Sequence, residues 1–189
     1  APLILDPWND GYIPAASFPN RPAHPSAHAF WPVGAFRTVE TAFEWTDDSF
    51  IKPAQDRLVI YELLVRDWDA ARDFDAVVER LDHLEWFGIT AIELMPVNEF
   101  DGNTSWGYNP GPRLAVDKAY GTAASLKRLV NEAHARGIAV ILDVVPNHSF
   151  GLDPMLRMYQ DADGGASPGN PWYNDCLLYT SPSPRDPWK

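Results

Sequence analysis

The chain has 189 residues, of which 46% are hydrophobic, which is enough to form the core of a domain and excludes wholesale disorder. Its 15 lysines and arginines against 26 aspartates and glutamates give a net charge of −11, which disfavours nucleic acid as a partner. A single cysteine, Cys176, excludes an intrachain disulfide framework and a cysteine zinc site. No apolar run approaches the ~20 residues of a membrane span, and the N-terminus lacks the pattern of a signal peptide.

The N-terminal part of the chain, residues 1–56, is rich in proline, which disfavours a long helix there. Two short runs in it, 35–39 and 42–45, have a β-like composition. We therefore predict that this part is an edge or a linker of a β-domain.

From Leu58 the hydrophobic pattern alternates between strands and helices. Residues 58–65 form a near-continuous apolar run, which is typical of a parallel strand buried on both faces. Apolar residues at helical spacing then predict a helix that Asp73 caps and Gly88 ends. Residues 90–97 form the second predicted strand.

The same unit then repeats. Thr122 can cap a second helix that Gly137 ends, and residues 138–145 form a third predicted strand. This order predicts parallel strands with right-handed crossovers. Since no glycine-rich nucleotide motif follows the first strand, we predict an α/β fold consisting of the first three βα units of a (β/α)8 barrel, which is incomplete.

The C-terminal residues 176–189 contain several prolines and no hydrophobic period. They resemble translated sequencing-adapter sequence, so we predict that this tail is not native to the protein; the alternative is a flexible C-terminus.

Candidate functional residues follow the second and third predicted strands, at the end of a barrel where active sites lie. The loop after the second strand carries Trp106 and Tyr108, whose rings could cover the apolar face of a sugar. Asp143, Asn147 and His148 bring a carboxylate, an amide and an imidazole to the end of the third strand. The alternatives are a packed loop with Trp106 in the core, and an ordinary strand-terminal turn.

Two other positions carry weaker signals. His24 and His28 are four residues apart, but Pro25 between them prevents a shared helical face, which disfavours a metal site. Glu93 lies within the second strand, where it could pair inside a barrel or act chemically, and the sequence leaves both open.

Four motifs in this order and at this spacing together resemble the first part of the catalytic barrel of the α-amylase family, glycoside hydrolase family 13. They are the segments 58–62, 93–97, 105–110 and 143–148. The resemblance implies an enzyme that acts with retention on α-1,4 or α-1,6 glucosidic bonds of starch- or glycogen-like polymers. It slightly favours an extracellular or periplasmic location over a cytoplasmic one.

The resemblance also implies roles for single residues. Tyr108 matches the family's aromatic that stacks on the sugar at the cleavage subsite, and Asp143 and His148 match residues that line that subsite. We include Trp106 as a neighbouring substrate-binding candidate. Asn147 matches a calcium-ligand position, so calcium could bind there, and no cofactor is required.

The resemblance divides the chain into four segments. Residues 1–56 resemble the end of the β-sandwich that precedes the barrel in branching- and debranching-type members. Residues 57–148 correspond to the first part of the barrel, 149–175 to the start of the insertion after strand three, and 176–189 to the tail described above.

The family's catalytic carboxyl groups have no counterpart in this sequence. In the family a nucleophilic aspartate follows strand four, an acidic glutamate strand five and a further aspartate strand seven, and retention requires the first two about 5–5.5 Å apart. We therefore expect a fragment of an α-glucan-active enzyme that is inactive by itself, with hydrolysis, debranching and branching all open. The alternatives are a non-catalytic carbohydrate-binding protein on a degenerate barrel and an unrelated βαβ protein.

Overall fold

The computed structural model describes residues 11–13, 33–35, 42–100, 104–150 and 153–173. The predictions for His24, His28, Cys176 and the tail 176–189 lie outside these residues. Two short strands, β1 (Gly11–Ile13) and β2 (Val33–Ala35), pair antiparallel. The predicted β-like run 42–45 forms no strand, which corrects that expectation. The assignment of residues 1–56 to a β-sandwich stays a prediction.

Three parallel strands form the central sheet in the order β3 (Ile60–Leu63), β4 (Ala91–Leu94) and β5 (Ala139–Leu142). Each is shorter than the apolar run that predicted it. The first run extends past its strand because Leu64 already caps a short helix, so the end of the run is helical rather than extended.

Among the described residues, a 3-10 turn precedes β3, and each α-helix comes after a strand of this sheet in the chain. The structure contains a 3-10 turn (Gln55–Arg57), α1 (Val65–Trp68), α2 (Phe74–Val78), α3 (Leu81–Trp86), α4 (Ala123–Ala135) and α5 (Pro154–Arg157). The predicted caps are confirmed, since Asp73 Oδ1 accepts from Ala76 N at 2.8 Å and the Thr122 side chain accepts from Ser125 N at 3.1 Å. Within the described part of the chain, no helix is long and apolar enough to cross a membrane.

The single helix predicted between Asp73 and Gly88 is wrong, because the structure breaks it into α2 and α3. The break lies at Arg80, whose backbone leaves the helical region (φ −116°, ψ 11°). The Arg80 guanidinium lies 2.5 Å from the carboxylate of Asp69, a residue that precedes both helices.

The hydrophobic core lies on one face of the sheet, between the strands and helices α2, α3 and α4. Alternate strand residues point to it, such as Leu63 and Leu94, and meet Phe74, Leu81 and Leu129 from the helices. All of these are buried.

The opposite face of the sheet carries the other alternate residues, including Ile60, Glu62 and Glu93. Ile60 is 47% exposed there. This division into a helix-covered face and a face of mixed polarity corresponds to the outside and inside of a barrel wall.

Buried charged side chains pair with one another within the long loop after β4. Lys118 Nζ lies 2.5 Å from Glu99 Oε1 and 3.8 Å from Asp117, and both carboxyl groups are buried. Asp117 also accepts from the backbone N–H groups of Phe100 and Ala119. Burial raises the pKa of both the Glu99 and the Asp117 carboxyl groups.

Gly107 allows the same loop to fold against the end of β4. It has a φ of +90°, and a Cβ added there would lie 2.7 Å from Pro96 Cβ and overlap the Pro96 carbonyl oxygen. Gly137 has a similar φ of +73°, but a Cβ there would meet nothing within 4 Å among the described residues.

These two glycines make a matched test of the loop. We expect Gly137→Ala to lower the free energy of unfolding by about 1 kcal/mol, the cost of a left-handed alanine. Gly107→Ala should cost about 2 kcal/mol more, because overpacking adds to the backbone strain. Urea denaturation followed by circular dichroism measures both variants, and equal losses would contradict the close approach to Pro96.

Candidate functional site

Tyr108 and Asp143 meet at the carboxyl ends of β4 and β5. The Tyr108 hydroxyl donates to Asp143 Oδ2 at 2.5 Å, and the Tyr108 side chain is 40% exposed. This hydrogen bond is the main cause that raises the pKa of Tyr108 to about 12, with burial and the charges of Asp143, Glu62 and Glu93 adding to it. The phenol therefore stays neutral throughout the physiological range.

His148 joins the same group through its imidazole. Its Nε2 lies 2.6 Å from the backbone oxygen of Tyr108. A carbonyl oxygen can only accept a hydrogen bond, so this ring nitrogen carries the hydrogen. The other ring nitrogen is then the one that a ligand could use. Tyr108, Asp143 and His148, three of the predicted site residues, are thus brought together.

Trp106 lies in the same loop but apart from this group. Its side chain is 60% exposed, which excludes the alternative in which it packs into the core. Within the part of the chain that the structure describes, no hydrogen bond or ring contact joins it to Tyr108, Asp143 or His148.

Asn147 is exposed and offers one amide oxygen, whereas calcium takes six to eight oxygen ligands. Among the described residues there is no group of three histidine, cysteine, aspartate or glutamate side chains that could hold a metal ion. Calcium at Asn147 therefore stays a prediction.

Glu93, whose role the sequence left open, lies beside Glu62 in the register of β3 and β4. Its charge acts on Tyr108 and favours the neutral phenol. Pairing inside the barrel and a direct chemical role for Glu93 both stay predictions.

The sequence did not predict a group of three contacting side chains, Arg113, Asp153 and Tyr173, which lies against the segment that carries His148. The Arg113 guanidinium donates to the backbone oxygens of Val145 and His148 and pairs with Asp153. The hydroxyl of Tyr173 donates to the same carboxylate, and burial followed by this bond raises the pKa of Tyr173 to about 12. Arg113 and Tyr173 lie in irregular segments that carry no sequence pattern, and the signal at Asp153, an aspartate before a proline, marks only the start of α5.

Residues 44–176 match the family model described as alpha amylase, catalytic domain. The malto-oligosyltrehalose trehalohydrolase of Saccharolobus solfataricus is 42% identical over 115 residues, which are 61% of this chain and 20% of that protein. Chloroplastic isoamylase 1 of Arabidopsis thaliana is 33% identical over 183 aligned residues, covering 78% of this chain and 23% of that protein.

Among solved structures, the catalytic module of the glycogen-degrading pneumococcal virulence factor SpuA superposes with a TM-score of 0.58 and 27% identity. The alignment covers 86% of this chain and 29% of that one. The chain spans about a fifth of the length of the curated relatives it matches.

The family match contains all three parallel βα units and both loops that carry Tyr108, Asp143 and His148. The predicted fold class is therefore confirmed. The chain belongs to the α-amylase family of glycoside hydrolases, and its parallel sheet is the first part of that family's (β/α)8 barrel.

Proposed function

We propose that Tyr108, Asp143 and His148 bind one glucose unit of an α-glucan, and that the whole protein is an α-glucan-active glycoside hydrolase or transglycosylase. The observation that carries the proposal is the hydrogen bond between Tyr108 and Asp143 at the carboxyl edge of the sheet. It holds an exposed aromatic ring beside a carboxylate, which suits a ligand with an apolar face and a rim of hydroxyl groups.

Each member of the group has a separate task in this proposal. The ring of Tyr108 covers the apolar face of the glucose unit, and the Asp143 oxygen that does not accept from Tyr108 receives a sugar hydroxyl. The ring nitrogen of His148 that does not bond to Tyr108 makes a further hydrogen bond. Trp106 extends the aromatic surface toward the next sugar.

The ligand class follows from the relatives. The name of the S. solfataricus protein refers to malto-oligosyltrehalose, which is trehalose that carries a maltooligosaccharide. SpuA is described as glycogen-degrading. Both names involve α-linked glucose, so we propose maltooligosaccharides as the ligands of the candidate site. Retaining cleavage needs two carboxyl groups about 5–5.5 Å apart around the bond, and no residue of this sequence matches them.

The first test is binding of maltoheptaose to the chain, measured by isothermal titration calorimetry. We expect Tyr108→Ala to weaken it about fivefold, because an aromatic stack is worth about 1 kcal/mol. Trp86→Ala is the matched control: Trp86 is 78% exposed and lies at the end of α3, before the amino end of β4.

Three outcomes would count against the proposed site. They are an unchanged affinity in Tyr108→Ala, an equal loss in Trp86→Ala, or equally tight binding of a β-linked cellooligosaccharide.

The second test is turnover. We expect the chain to release no sugar from starch, glycogen or a malto-oligosyltrehalose above the level of a buffer blank, because the nucleophile and the acid are missing. Chromatography of the products after long incubation measures this. Release that scales with the amount of chain and disappears in a Tyr108→Ala preparation would show that the chain itself is catalytic.

The third test concerns the ionisation of Tyr108, whose pKa of about 12 lies above the ordinary value of 10. A folded pKa above the unfolded one means that this interaction stabilises the fold fully below pH 10 and is lost as the pH rises toward 12. We expect Asp143→Asn to lower the pKa of Tyr108 toward 10, because the charged acceptor is removed.

Ultraviolet absorbance between pH 10 and 11 measures this ionisation, with Tyr108→Phe as the reference that isolates one phenol. Circular dichroism at the same pH checks that each variant stays folded. The same degree of Tyr108 ionisation with and without the Asp143 charge would contradict the hydrogen bond as the main cause.

A further inference from the structure

Arg113 connects the two loops that carry the candidate site. It lies in the loop after β4, and its guanidinium reaches the segment after β5. Nη1 donates to Val145 O at 2.8 Å and Nη2 to His148 O at 2.5 Å. These two carbonyl groups stand on either side of Pro146 and Asn147, so one planar group fixes both ends of the turn that presents His148.

A buried carboxylate and an aromatic ring hold the Arg113 guanidinium in place. Arg113 Nε pairs with Asp153 Oδ2 at 2.9 Å, and the side chain of Asp153 is 1% exposed. The Tyr173 hydroxyl donates to the same oxygen at 2.6 Å, and its ring lies 5.4 Å from the Arg113 guanidinium carbon. The second Asp153 oxygen accepts from Met155 N at 2.7 Å and caps α5. Both oxygens of this buried carboxylate are therefore engaged.

Two further contacts join the same loops. Phe150 N donates to Pro110 O at 2.7 Å, and His148 Nε2 donates to Tyr108 O. The backbone oxygen of Arg113 accepts from the side-chain amide of Asn98, which ties Arg113 to the residues just after β4. Arg113 is thus anchored on the β4 side and donates to the β5 side.

We propose that Arg113 is a positioning residue for α-glucan binding, which sets the imidazole of His148 against Tyr108 without touching the ligand. This inference rests on the proposed function of the Tyr108, Asp143 and His148 group. Arginine suits the task because its planar group donates in three fixed directions at once, to two carbonyl oxygens and one carboxylate. Lysine would donate from a single point.

The test combines a structural readout without sugar and a binding readout with it. In the free chain, nitrogen NMR of histidine-labelled protein reports which ring nitrogen of His148 carries hydrogen, with His148→Gln assigning the signal. We expect the Nε2 resonance of His148 to shift in Arg113→Met, because the hydrogen bond from Nε2 to Tyr108 O is weakened. Maltoheptaose affinity should fall about tenfold, the effect of one displaced hydrogen-bonding group.

Arg128→Met is the matched control, because Arg128 pairs with Asp75 on the helix side of the sheet and is half exposed. It should leave both readouts unchanged. If Arg113→Met does not fold by circular dichroism, Arg113→Lys takes its place, with a smaller change of the same sign expected in both readouts.

The two readouts separate the two hypotheses. An unchanged His148 ring signal in a folded Arg113 variant overturns the positioning role, and so does unchanged affinity for maltoheptaose when the unaltered chain binds it. If the unaltered chain binds no maltooligosaccharide, the glucan-binding role of Arg113 fails together with the proposed function. A shifted His148 signal would then still show that Arg113 orients this ring.

Discussion

The parallel register of β4 and β5 is the constraint on which the candidate site depends. Leu94 lies beside Leu142, and the next residue, Asp143, donates its N–H to Leu94 O at 3.0 Å. The chain therefore leaves both strands at the same level of the same edge, and the two following loops must share one space. Tyr108 and His148 are 40 positions apart in sequence and in contact for this reason.

The two faces of the sheet have different consequences for the chemistry. One face is covered by helices near its centre, where residues such as Ile92 are fully buried. The other carries Glu62 and Glu93, whose charges act together with Asp143 to favour the neutral form of Tyr108. The carboxylates of this face therefore add to the hydrogen bond from Tyr108 to Asp143 in raising the pKa of the phenol.

Local patterns predicted the parts of the fold that local forces decide. The caps at Asp73 and Thr122 and the left-handed glycines 88 and 137 were predictable, because each depends on residues within one helical turn. The break at Arg80 was not, because the apolar positions on both sides of it keep a helical period that does not mark where the backbone leaves the helix. The proximity of the candidate site residues was predictable because the loops that follow neighbouring parallel strands meet at one edge of the sheet, and the role of these residues stays a prediction.

The charged contacts behind the site could not be predicted, and their physics explains what they contribute. Arg113 meets partners 32 to 40 positions away, two of which are backbone carbonyl groups without any side-chain signature. Buried ion pairs add little net stability, because desolvation offsets the pairing. An arrangement that kept the Glu99 or Asp153 carboxylate buried without its partner would cost about 3–5 kcal/mol. The Arg113–Asp153 pair therefore favours the arrangement of the two loops in which His148 lies against Tyr108.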